Sequence, residues 1–287
     1  MNALYRAIGI SKQSFHQSME RQMLHLEEEQ QLLPLIREIR QDHPSMSSRE
    51  MYRLLKPEHM GRDKFEAFCF ANGFKIEIKR SFIRTTNSLG ITRFENLMSG
   101  WELTGINQVW VSDITYYRIG DQFYYITFIL DLYSRYIVGY AVSESLMTEN
   151  TTIPALKKAT LLRKPQPGLI FHSDGGGQYY CKEFLALTRQ HHIRNSMCES
   201  VYENAHAERV NGTIKNDYLI HYGPHDFKRL KEQVRRAVDM YNFYRPHKAL
   251  SGLSPMAFEK LLTEKPLINK RKKEAKKEKI TSSLTLQ

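Results

Sequence analysis

The 287-residue sequence predicts an α/β domain built on one central sheet and preceded by a helical region. The sheet is predicted first by residues 108–142, which are rich in Val, Ile, Tyr and Phe and contain the hairpin signal Gly120-Asp121. It is also predicted by residues 149–218, where stretches of helical periodicity alternate with short apolar runs. The helical region is predicted by residues 1–90, where turn residues separate short segments that carry helix caps.

The start of the chain resembles a helix-turn-helix. Residues 3–8 can form one helix, Gly9-Ile-Ser11 can form a turn, and Ser11 can cap a second helix that ends near Gln22. The next helix contains Pro34, which is expected to kink or split it, because proline removes a backbone donor and crowds the preceding turn.

Two further helices complete the N-terminal region. Ser47-Ser-Arg-Glu50 is a capping box, and a helix over 63–71 is expected to stop at Asn72-Gly73. Residues 75–84 then alternate apolar and charged side chains, as a strand or an extended basic arm does. Residues 1–90 are therefore a candidate DNA-binding region, and a helical packing domain with an ordinary charged surface fits them equally well.

The order of elements after a predicted linker at residues 91–105 indicates one particular fold. We predict strands at 108–117, 122–135 and 136–142, a helix at 149–162, a strand at 168–172, a helix at 181–192, a strand at 193–198 and a helix at 202–218. This is the element order of the ribonuclease-H-like fold, and we assign residues 106–262 to such a core.

Three acids occupy special places in this order. Asp113 lies in the middle of the first strand, Asp174 lies just past the end of a neighbouring strand, and Glu208 lies on the last helix of the core. Three carboxylates brought together can hold two divalent cations, and such a pair of cations supports in-line displacement at a phosphodiester. The sequence therefore predicts metal-dependent cutting and joining of DNA.

Each acid also has a simpler interpretation. Asp113 interrupts an apolar run and must be paired, protonated or metal-bound, but a structural hydrogen bond at a strand end would also satisfy it. Asp174 precedes Gly175-Gly-Gly177, which would admit a phosphate closely, yet Asp-Gly is also a common turn pair. Glu208 could belong to a solvated helix face, and Glu199 and Glu203 are its rivals.

The distribution of charge points to a polyanionic partner. Residues 1–100 carry a net charge of +3, residues 101–208 carry −2, and residues 209–287 carry +10, so nearly all of the net +11 follows Glu208. Residues 263–287 form a basic tail that is expected to be disordered and to bind DNA nonspecifically.

Cysteine usage and apolar runs indicate the compartment. Cys69, Cys181 and Cys198 are isolated, which argues against a disulfide framework or a cysteine-rich zinc module. The apolar run from Phe123 to Leu132 is half the length of a membrane span, and no secretory signal is visible. We expect a soluble intracellular protein of a reducing cytoplasm.

Candidate DNA contacts follow from helical spacing and basic patterning. Glu208, Asn211 and Lys215 share one helix face, so that a lysine lies two turns from a candidate metal ligand. The predicted helix 227–244 is basic; DNA contact is favoured there, and a solvated face remains the alternative. The candidate DNA-binding residues are Lys215, Asn211, Arg209, Lys228, Arg229, Arg235, Arg236 and Arg245.

Four motifs resemble the second-frame protein, OrfB, of bacterial insertion sequences of family three, whose core is related to retroviral integrases. They are Trp110-x-x-Asp113-Ile-Thr-Tyr116, His172-Ser-Asp174-x-Gly-x-Gln-Tyr179, Asn204-Ala-x-Ala-Glu208 followed by Lys215-Asn, and Tyr241-Asn-x-x-Arg245-Pro-His247-x-x-Leu250-x-Gly252-x-x-Pro255. The resemblance covers about residues 1–262 and is specific only after residue 100. Two departures stand out: 33 residues separate Asp174 from Glu208 where 35 are usual, which predicts a shortened loop at 198–202, and Glu203 replaces the usual Asp.

The resemblance implies a DDE transposase that cleaves DNA at the ends of an element and transfers the freed 3′-OH. It further implies two Mg²⁺ ions (or Mn²⁺ in their place) on Asp113, Asp174 and Glu208, with Lys215 anchoring the DNA end. The implied partners are double-stranded DNA of the terminal repeats and of the target, a second copy of the chain, and the upstream-frame protein as a fusion. A catalytically idle DNA-binding regulator and a structure-selective nuclease of the same fold are the alternatives.

Overall fold

A computed structural model describes residues 9, 11–76, 94–98, 100, 102–198 and 204–264. The chain divides into two compact units, Met1–Ser81 and Phe82–Gln287. The predicted helix at residues 3–8, most of the charged stretch 75–84, the shortened loop and nearly all of the basic tail lie outside the described residues. The helix-turn-helix interpretation, which needs the first of these helices, lies outside them as well.

The described residues of the first unit form three helices, α1 (Lys12–Asp42), α2 (Ser48–Leu55) and α3 (Arg62–Ala71). The predicted helix end near Gln22 and the predicted split at Pro34 are both wrong, because α1 continues through these positions as one helix of 31 residues. Leu32 and Ile36, on either side of the proline, are both buried in the core of this unit. Their packing holds the helix together where the proline removes one hydrogen bond.

The predicted caps in this unit are confirmed. Ser47 Oγ accepts the N–H of Glu50 at 3.2 Å, and Glu50 Oε2 accepts the N–H of Ser47 at 3.1 Å, which together form the capping box of α2. Ser11 Oγ caps α1 by accepting the N–H of Ser14 at 3.0 Å.

The second unit is built on a five-stranded sheet with the order β3-β2-β1-β4-β5. Strand β1 is central, antiparallel to β2 and parallel to β4. The strands and intervening helices are β1 (Val109–Ile119), β2 (Gln122–Asp131), β3 (Ile137–Ser143), α4 (Thr152–Arg163), β4 (Ile170–Ser173), α5 (Lys182–Gln190) and β5 (Arg194–Met197). This is the ribonuclease-H-like topology that the sequence predicts.

Strand β2 ends four residues earlier than predicted. The buried carboxylate of Asp131 accepts the N–H groups of Tyr133 and Ser134, at 3.0 and 2.9 Å, and thereby closes a turn. Arg135 completes the turn with a left-handed backbone, φ +62°. A side chain that binds its own following backbone ends the strand here.

Two helices that the sequence predicts as continuous change their winding instead. Helix α6 (Ala205–Thr213) continues as a π-helical turn at Ile214–Leu219, and α7 (Phe227–Asp239) continues as one at Met240–Tyr244. Both turns bury two consecutive residues, Tyr218 with Leu219 and Tyr241 with Asn242. The wider winding of each turn changes the angle between successive side chains there.

The two faces of the sheet are covered by different helices. Val210 and Ile214 from α6 and Val234 from α7 pack with Val111 and Phe128 on one face. On the other face, α4 and α5 cover the sheet with the buried side chains Ala155, Leu156 and Phe184. Within the described part of the chain, no helix is long and apolar enough to cross a membrane.

The C-terminal helix α8 (residues 255–264) is joined to α4 by a buried ion pair. Arg163 donates Nη1 and Nη2 to the two carboxylate oxygens of Glu259, each at 2.7 Å. The Arg163 guanidinium also lies 4.5 Å from the centre of the Tyr136 ring. A bidentate pair of this kind is geometrically specific, so it fixes where α8 docks.

Gly139→Ala is expected to lower the free energy of unfolding by about 1–3 kcal/mol, because α4 lies directly on the backbone of β3. A Cβ at residue 139 would overlap the carbonyl oxygen of Ala155 and stand 2.9 Å from Cβ of Ala159. Urea denaturation followed by circular dichroism measures the change. Gly105→Ala is the control, since its Cβ would approach nothing closer than Gln108 Nε2 at 3.9 Å; equal losses in both variants would contradict the close packing.

Candidate active site

Asp113 lies on the central strand, facing helix α6. It pairs with Phe128 of β2 and follows Ser112, which pairs with Ser173 at the end of β4. The side-chain amide of Asn211 on α6 donates to Asp113 Oδ2 at 2.8 Å. This hydrogen bond orients the carboxylate toward the helix that carries Glu208.

A second carboxamide attaches the start of α6 to the same strand. Asn204 donates Nδ2 to the backbone oxygen of Ser112 at 3.1 Å, and both residues are buried. The Asn204 and Asn211 bonds lie about two turns apart on the helix, so they set its rotation as well as its position. The carboxamide oxygens of both residues are buried and have no partner among the described residues.

Asp174 follows β4, which runs parallel to β1, and lies at the same end of the sheet as Asp113. The N–H of Gly176 donates to Asp174 Oδ1 at 3.1 Å and holds the carboxylate in a tight turn. Gly175 has φ +78°, and a Cβ there would overlap the side chain of Met197. Glycine is therefore required at 175 by both the backbone conformation and the packing of β5.

Glu208 lies in the first turns of α6 and is exposed. It lies close enough to Asp113 for its negative charge, like that of Asp174, to act on the Asp113 carboxyl group. Burial raises the pKa of Asp113 to about 7, and the negative charges of Asp174 and Glu208 raise it further against the hydrogen bonds from Ile114 and Asn211. Asp174 keeps exposed surface, yet burial of its carboxyl group raises its pKa too, against the N–H bond from Gly176.

Lys215 approaches the same place from the π-helical turn. Its Nζ lies 5.3 Å from the centre of the ring of Tyr116, three residues after Asp113 on β1. Burial lowers the pKa of Lys215, and the negative charge of Asp113 acts in the opposite direction. Glu208, Asn211 and Lys215 therefore all face Asp113, as their helical spacing predicts.

Other predicted DNA contacts lie elsewhere in the second unit. Asn211 is buried, and its amide is used by Asp113. Arg245 is half-buried and forms an ion pair with Asp217 at 2.8 Å. Arg209 is exposed on α6, and the four of the five basic residues of α7 that are candidate DNA contacts are exposed on the side of that helix away from the core: Lys228, Arg229, Arg235 and Arg236.

Several residues that support the acids were not singled out from the sequence. Ser112 Oγ donates to Phe128 O at 2.9 Å and lies 3.0 Å from the hydroxyl of Tyr179, which is therefore the donor of that bond. The buried ring of His172 lies between Ser196 Oγ at 2.9 Å and Cys198 Sγ at 3.0 Å, bracing the ends of β4 and β5. Tyr179 and His172 lie close to Asp174 in the same sequence motif. This closeness in sequence is the signal by which their supporting role could have been predicted.

The donor set fits hard divalent cations. The carboxylates of Asp174 and Glu208 both act on the buried carboxyl group of Asp113, while the Lys215 ammonium lies against the ring of Tyr116. Across the described ranges, no group of three or more His, Cys, Asp or Glu side chains is already spaced to hold an ion by itself. Mg²⁺ does not require such a cage, because it binds through one or two carboxylates with water and substrate phosphate as the other ligands.

Comparison with known proteins agrees with this geometry. Two integrase core domain models match residues 104–201 and 189–255. The insertion element IS600 31 kDa protein of Shigella sonnei is 34% identical over 69% of this chain and 75% of its own length. Transposase InsF of insertion sequence IS3A from Escherichia coli K12 is 31% identical over 65% of this chain and 66% of its own. The HTLV-2 integrase catalytic core domain, solved in complex with magnesium, is 23% identical with a TM-score of 0.44, covering 53% of this chain and 95% of that one.

The integrase core, with an acid on its central strand, one after the neighbouring strand and one on the following helix, defines a DDE polynucleotidyl transferase. Its relatives at 31–34% identity are insertion-sequence proteins. The chain belongs to the IS3 family of transposases. Membership of this family does not favour the two alternative functions, a DNA-binding regulator and a structure-selective nuclease.

Asp113→Asn is expected to stabilise the metal-free protein at pH 8 by about 1–3 kcal/mol and to have little effect at pH 4. The carboxyl titrates near pH 7 in the folded state and near 3.9 when unfolded, so the folded state binds its proton more tightly. Stability is therefore lost as pH rises from about 4 to 7, and the neutral variant escapes that loss. Urea unfolding in EDTA at both pH values measures the difference.

The matched control is Asp121→Asn, which neutralises the exposed carboxylate at the tip of the β1–β2 hairpin. It should change stability little at either pH. A gain for Asp113→Asn that is independent of pH would show that the repulsion between the acids is not its origin.

Proposed function

We propose that Asp113, Asp174 and Glu208 together bind two Mg²⁺ ions, with Mn²⁺ able to replace them, and that this centre cuts and joins DNA at the ends of an insertion sequence. The observation that carries the proposal is the effect of Asp174 and Glu208 on Asp113. Burial raises the pKa of Asp113, and the negative charges of the other two acids raise it further. An uncompensated buried charge is costly, so acids that repel one another are expected at a place where a bound cation relieves the repulsion.

Bound divalent cations would supply charge stabilisation at the scissile phosphate and would favour the deprotonated form of the attacking hydroxyl. The side chains of the chain would position these groups. The side-chain amide of Asn211 donates to Asp113 Oδ2, and the N–H of Gly176 donates to Asp174 Oδ1. Lys215 brings a positive charge within reach of a phosphate beside Asp113.

Two displacements at phosphorus account for the reaction. In the first, water attacks the phosphodiester at the element end, the bond to the 3′ oxygen breaks, and a 3′-OH and a 5′-phosphate result. In the second, that 3′-OH attacks another phosphodiester and expels its 3′ oxygen, so that one strand is joined as another is cut. No covalent link to the protein is needed, because the freed hydroxyl is itself the second nucleophile.

The predicted DNA contacts then divide into two groups. Arg209 and the four candidate residues of α7 are placed to bind the phosphate backbone, as their exposure and the net charge of +10 after Glu208 support. Asn211 and Arg245 have partners within the protein, and we propose that they position Asp113 and the π-helical turn instead.

The same proposal includes the partners. The substrates are the terminal repeats and the target as double-stranded DNA, in the cytoplasm and at the nucleoid of a bacterium. Bringing two ends together requires at least a dimer, and recognition of the ends is proposed to involve fusion with the upstream-frame protein.

Mg²⁺ is expected to raise the melting temperature of the wild-type protein more at pH 8 than at pH 6, because Asp113 must lose its proton to bind a cation. The predicted change in apparent affinity is roughly tenfold per pH unit below about 7. Thermal shift titrations with MgCl₂ at the two pH values measure it. The Asp113→Asn protein, titrated in parallel, should show no such pH dependence; an equal dependence in both would exclude Asp113 as a ligand.

Asp113→Asn, Asp174→Asn and Glu208→Gln are each expected to reduce Mg²⁺-dependent nicking and strand joining by about 10³-fold or more. The assay uses a labelled duplex of the element end with the chain or its fusion to the upstream frame. Asp121→Asn and Glu264→Gln remove exposed carboxylates and should retain activity. Tight DNA binding without chemistry in the wild-type complex would instead identify a regulator, and nicking without joining would identify a nuclease.

A further inference from the structure

The β1–β2 hairpin carries aromatic side chains on both of its faces, but only one face is packed against the rest of the unit. Toward α6 and α7, Tyr117 donates its hydroxyl to Leu219 O at 3.3 Å. On the same face, the ring of Tyr124 stacks on that of Phe227 with ring centres 5.4 Å apart. Side chains alternate along a strand, and directly opposed residues share a face. The other face therefore carries three aromatic residues, which we call the aromatic face: Tyr116, Phe123 and Tyr125.

The aromatic face lies beyond the helices that cover this side of the sheet. The core beneath α4 and α5 contains Trp110 and reaches Ile114, but among the described residues it does not include the aromatic face. The ring of Phe123 is 44% exposed, and Tyr116 and Tyr125 are partly exposed. A group of aromatic rings that the core does not cover is typical of a binding surface.

The contacts of the aromatic face connect it to Lys215. The rings of Tyr116 and Phe123 meet edge to face, with ring centres 5.5 Å apart and an angle of 76° between their planes. Lys215 Nζ lies 5.3 Å from the centre of the Tyr116 ring. The Arg118 guanidinium lies 5.9 Å from the centre of the Phe123 ring, but it is paired with Asp121 at 2.8 Å. Lys215 is therefore the cation better placed to meet a phosphate beside the rings.

The aromatic face also lies beside the acids. Strand β4 pairs with β1 only from Val109 to Ser112, so this edge of β1 has no neighbouring strand from Asp113 onward within the described sheet. Tyr116 follows Asp113 by three residues, which is about 10 Å along a strand. A DNA strand at Asp113 that runs along this edge would reach the ring of Tyr116.

A purely structural role is the alternative, because aromatic pairs across a hairpin contribute to its stability. That role accounts for the contact between Tyr116 and Phe123. It does not account for the exposure of Phe123, or for the approach of Lys215 from the helix that covers the other face of the sheet. Aromatic rings beside a positive charge are instead the arrangement by which proteins hold unpaired bases, because each base offers a flat face and each linkage offers a phosphate.

We propose that Tyr116 and Phe123 stack against one unpaired base of the DNA strand whose scissile phosphate lies at Asp113, while Lys215 binds a phosphate next to that base. The proposal rests on the proposed function, because it takes DNA at Asp113 as given. The base must be unpaired, since inside a duplex its neighbours cover both of its faces. At about 3.4 Å per nucleotide step, the 10 Å between Asp113 and Tyr116 places the base roughly three nucleotides from the scissile phosphate.

The test removes the base and the ring, separately and together. Labelled duplexes of the element end carry an abasic site at one nucleotide within about three of the cut. Fluorescence anisotropy then gives the Kd of each duplex for the full chain or its fusion to the upstream frame. CaCl₂ replaces MgCl₂, because the looser coordination of Ca²⁺ occupies carboxylates without supporting efficient cutting.

In the wild-type protein, one abasic position should lower the affinity about 5- to 100-fold, and Phe123→Leu should lower the affinity for the intact duplex by a similar factor. The two losses should not multiply in the combination, because each removes the same contact. Tyr116→Leu should behave in the same way. Phe123→Tyr and Tyr116→Phe keep an aromatic ring and should bind as the wild type does.

Phe243→Leu is the matched control. Phe243 is 42% exposed and meets Tyr136 edge-on with ring centres 6.3 Å apart, but it lies in the π-helical turn after α7. This variant should bind the intact duplex as the wild type does and keep the full sensitivity to the abasic site. Phe123→Leu should melt within about 4 °C of the wild type, since one cross-strand pair contributes little to stability.

Losses that multiply would exclude a shared contact between the base and the rings. A Phe123→Leu protein that melts far lower and binds every duplex weakly would show that Phe123 is structural, and the proposal would be wrong. A wild-type chain that cuts and joins the element end in Mg²⁺, but binds every abasic duplex as tightly as the intact one, would refute the proposal while the proposed function stands. A wild-type chain that neither cuts the element end nor binds it would overturn both.

Discussion

The active site depends on the attachment of α6 to the central strand by two carboxamides. Asn204 binds the backbone of Ser112, and Asn211 binds the side chain of Asp113. With both bonds made, the helix has one rotation about its axis, and Glu208 and Lys215 face Asp113. Because the donors are short and buried, a shift of the helix by one residue would leave two polar groups unsatisfied in the core. The sheet thus positions two acids, and these two bonds position the third.

The contrast between Asp113 and Asp131 separates function from structure. Both are carboxylates buried next to the same sheet, and burial raises the pKa of each. Asp131 receives several N–H and hydroxyl donors and has become part of a turn. Asp113 receives few donors and faces two further acids. The first arrangement stabilises the fold, while the second leaves a repulsion between acids that a divalent cation can relieve.

The same reasoning applies to the cations of this unit. Arg163 and Arg245 are paired with Glu259 and Asp217, and they connect the C-terminal segment to the core. Nη1 of Arg135 has no acceptor among the described residues. Spacing along the chain does not distinguish these arginines, because a carboxylate partner can be distant in sequence, as Glu259 is from Arg163. Only the folded structure shows which positive charges remain available to DNA.

The sequence by itself determined the element order, the central place of Asp113, the capped helices near residue 47 and the face shared by Glu208, Asn211 and Lys215. These depend on local periodicity, turn chemistry and caps, which are written in neighbouring residues. Tertiary structure alone decided that Pro34 lies within one continuous helix, that α6 and α7 pass into π-helical turns, and that Asn211 donates to Asp113. Each of these depends on which buried group lies opposite a residue, and packing across the core overrides local preference there.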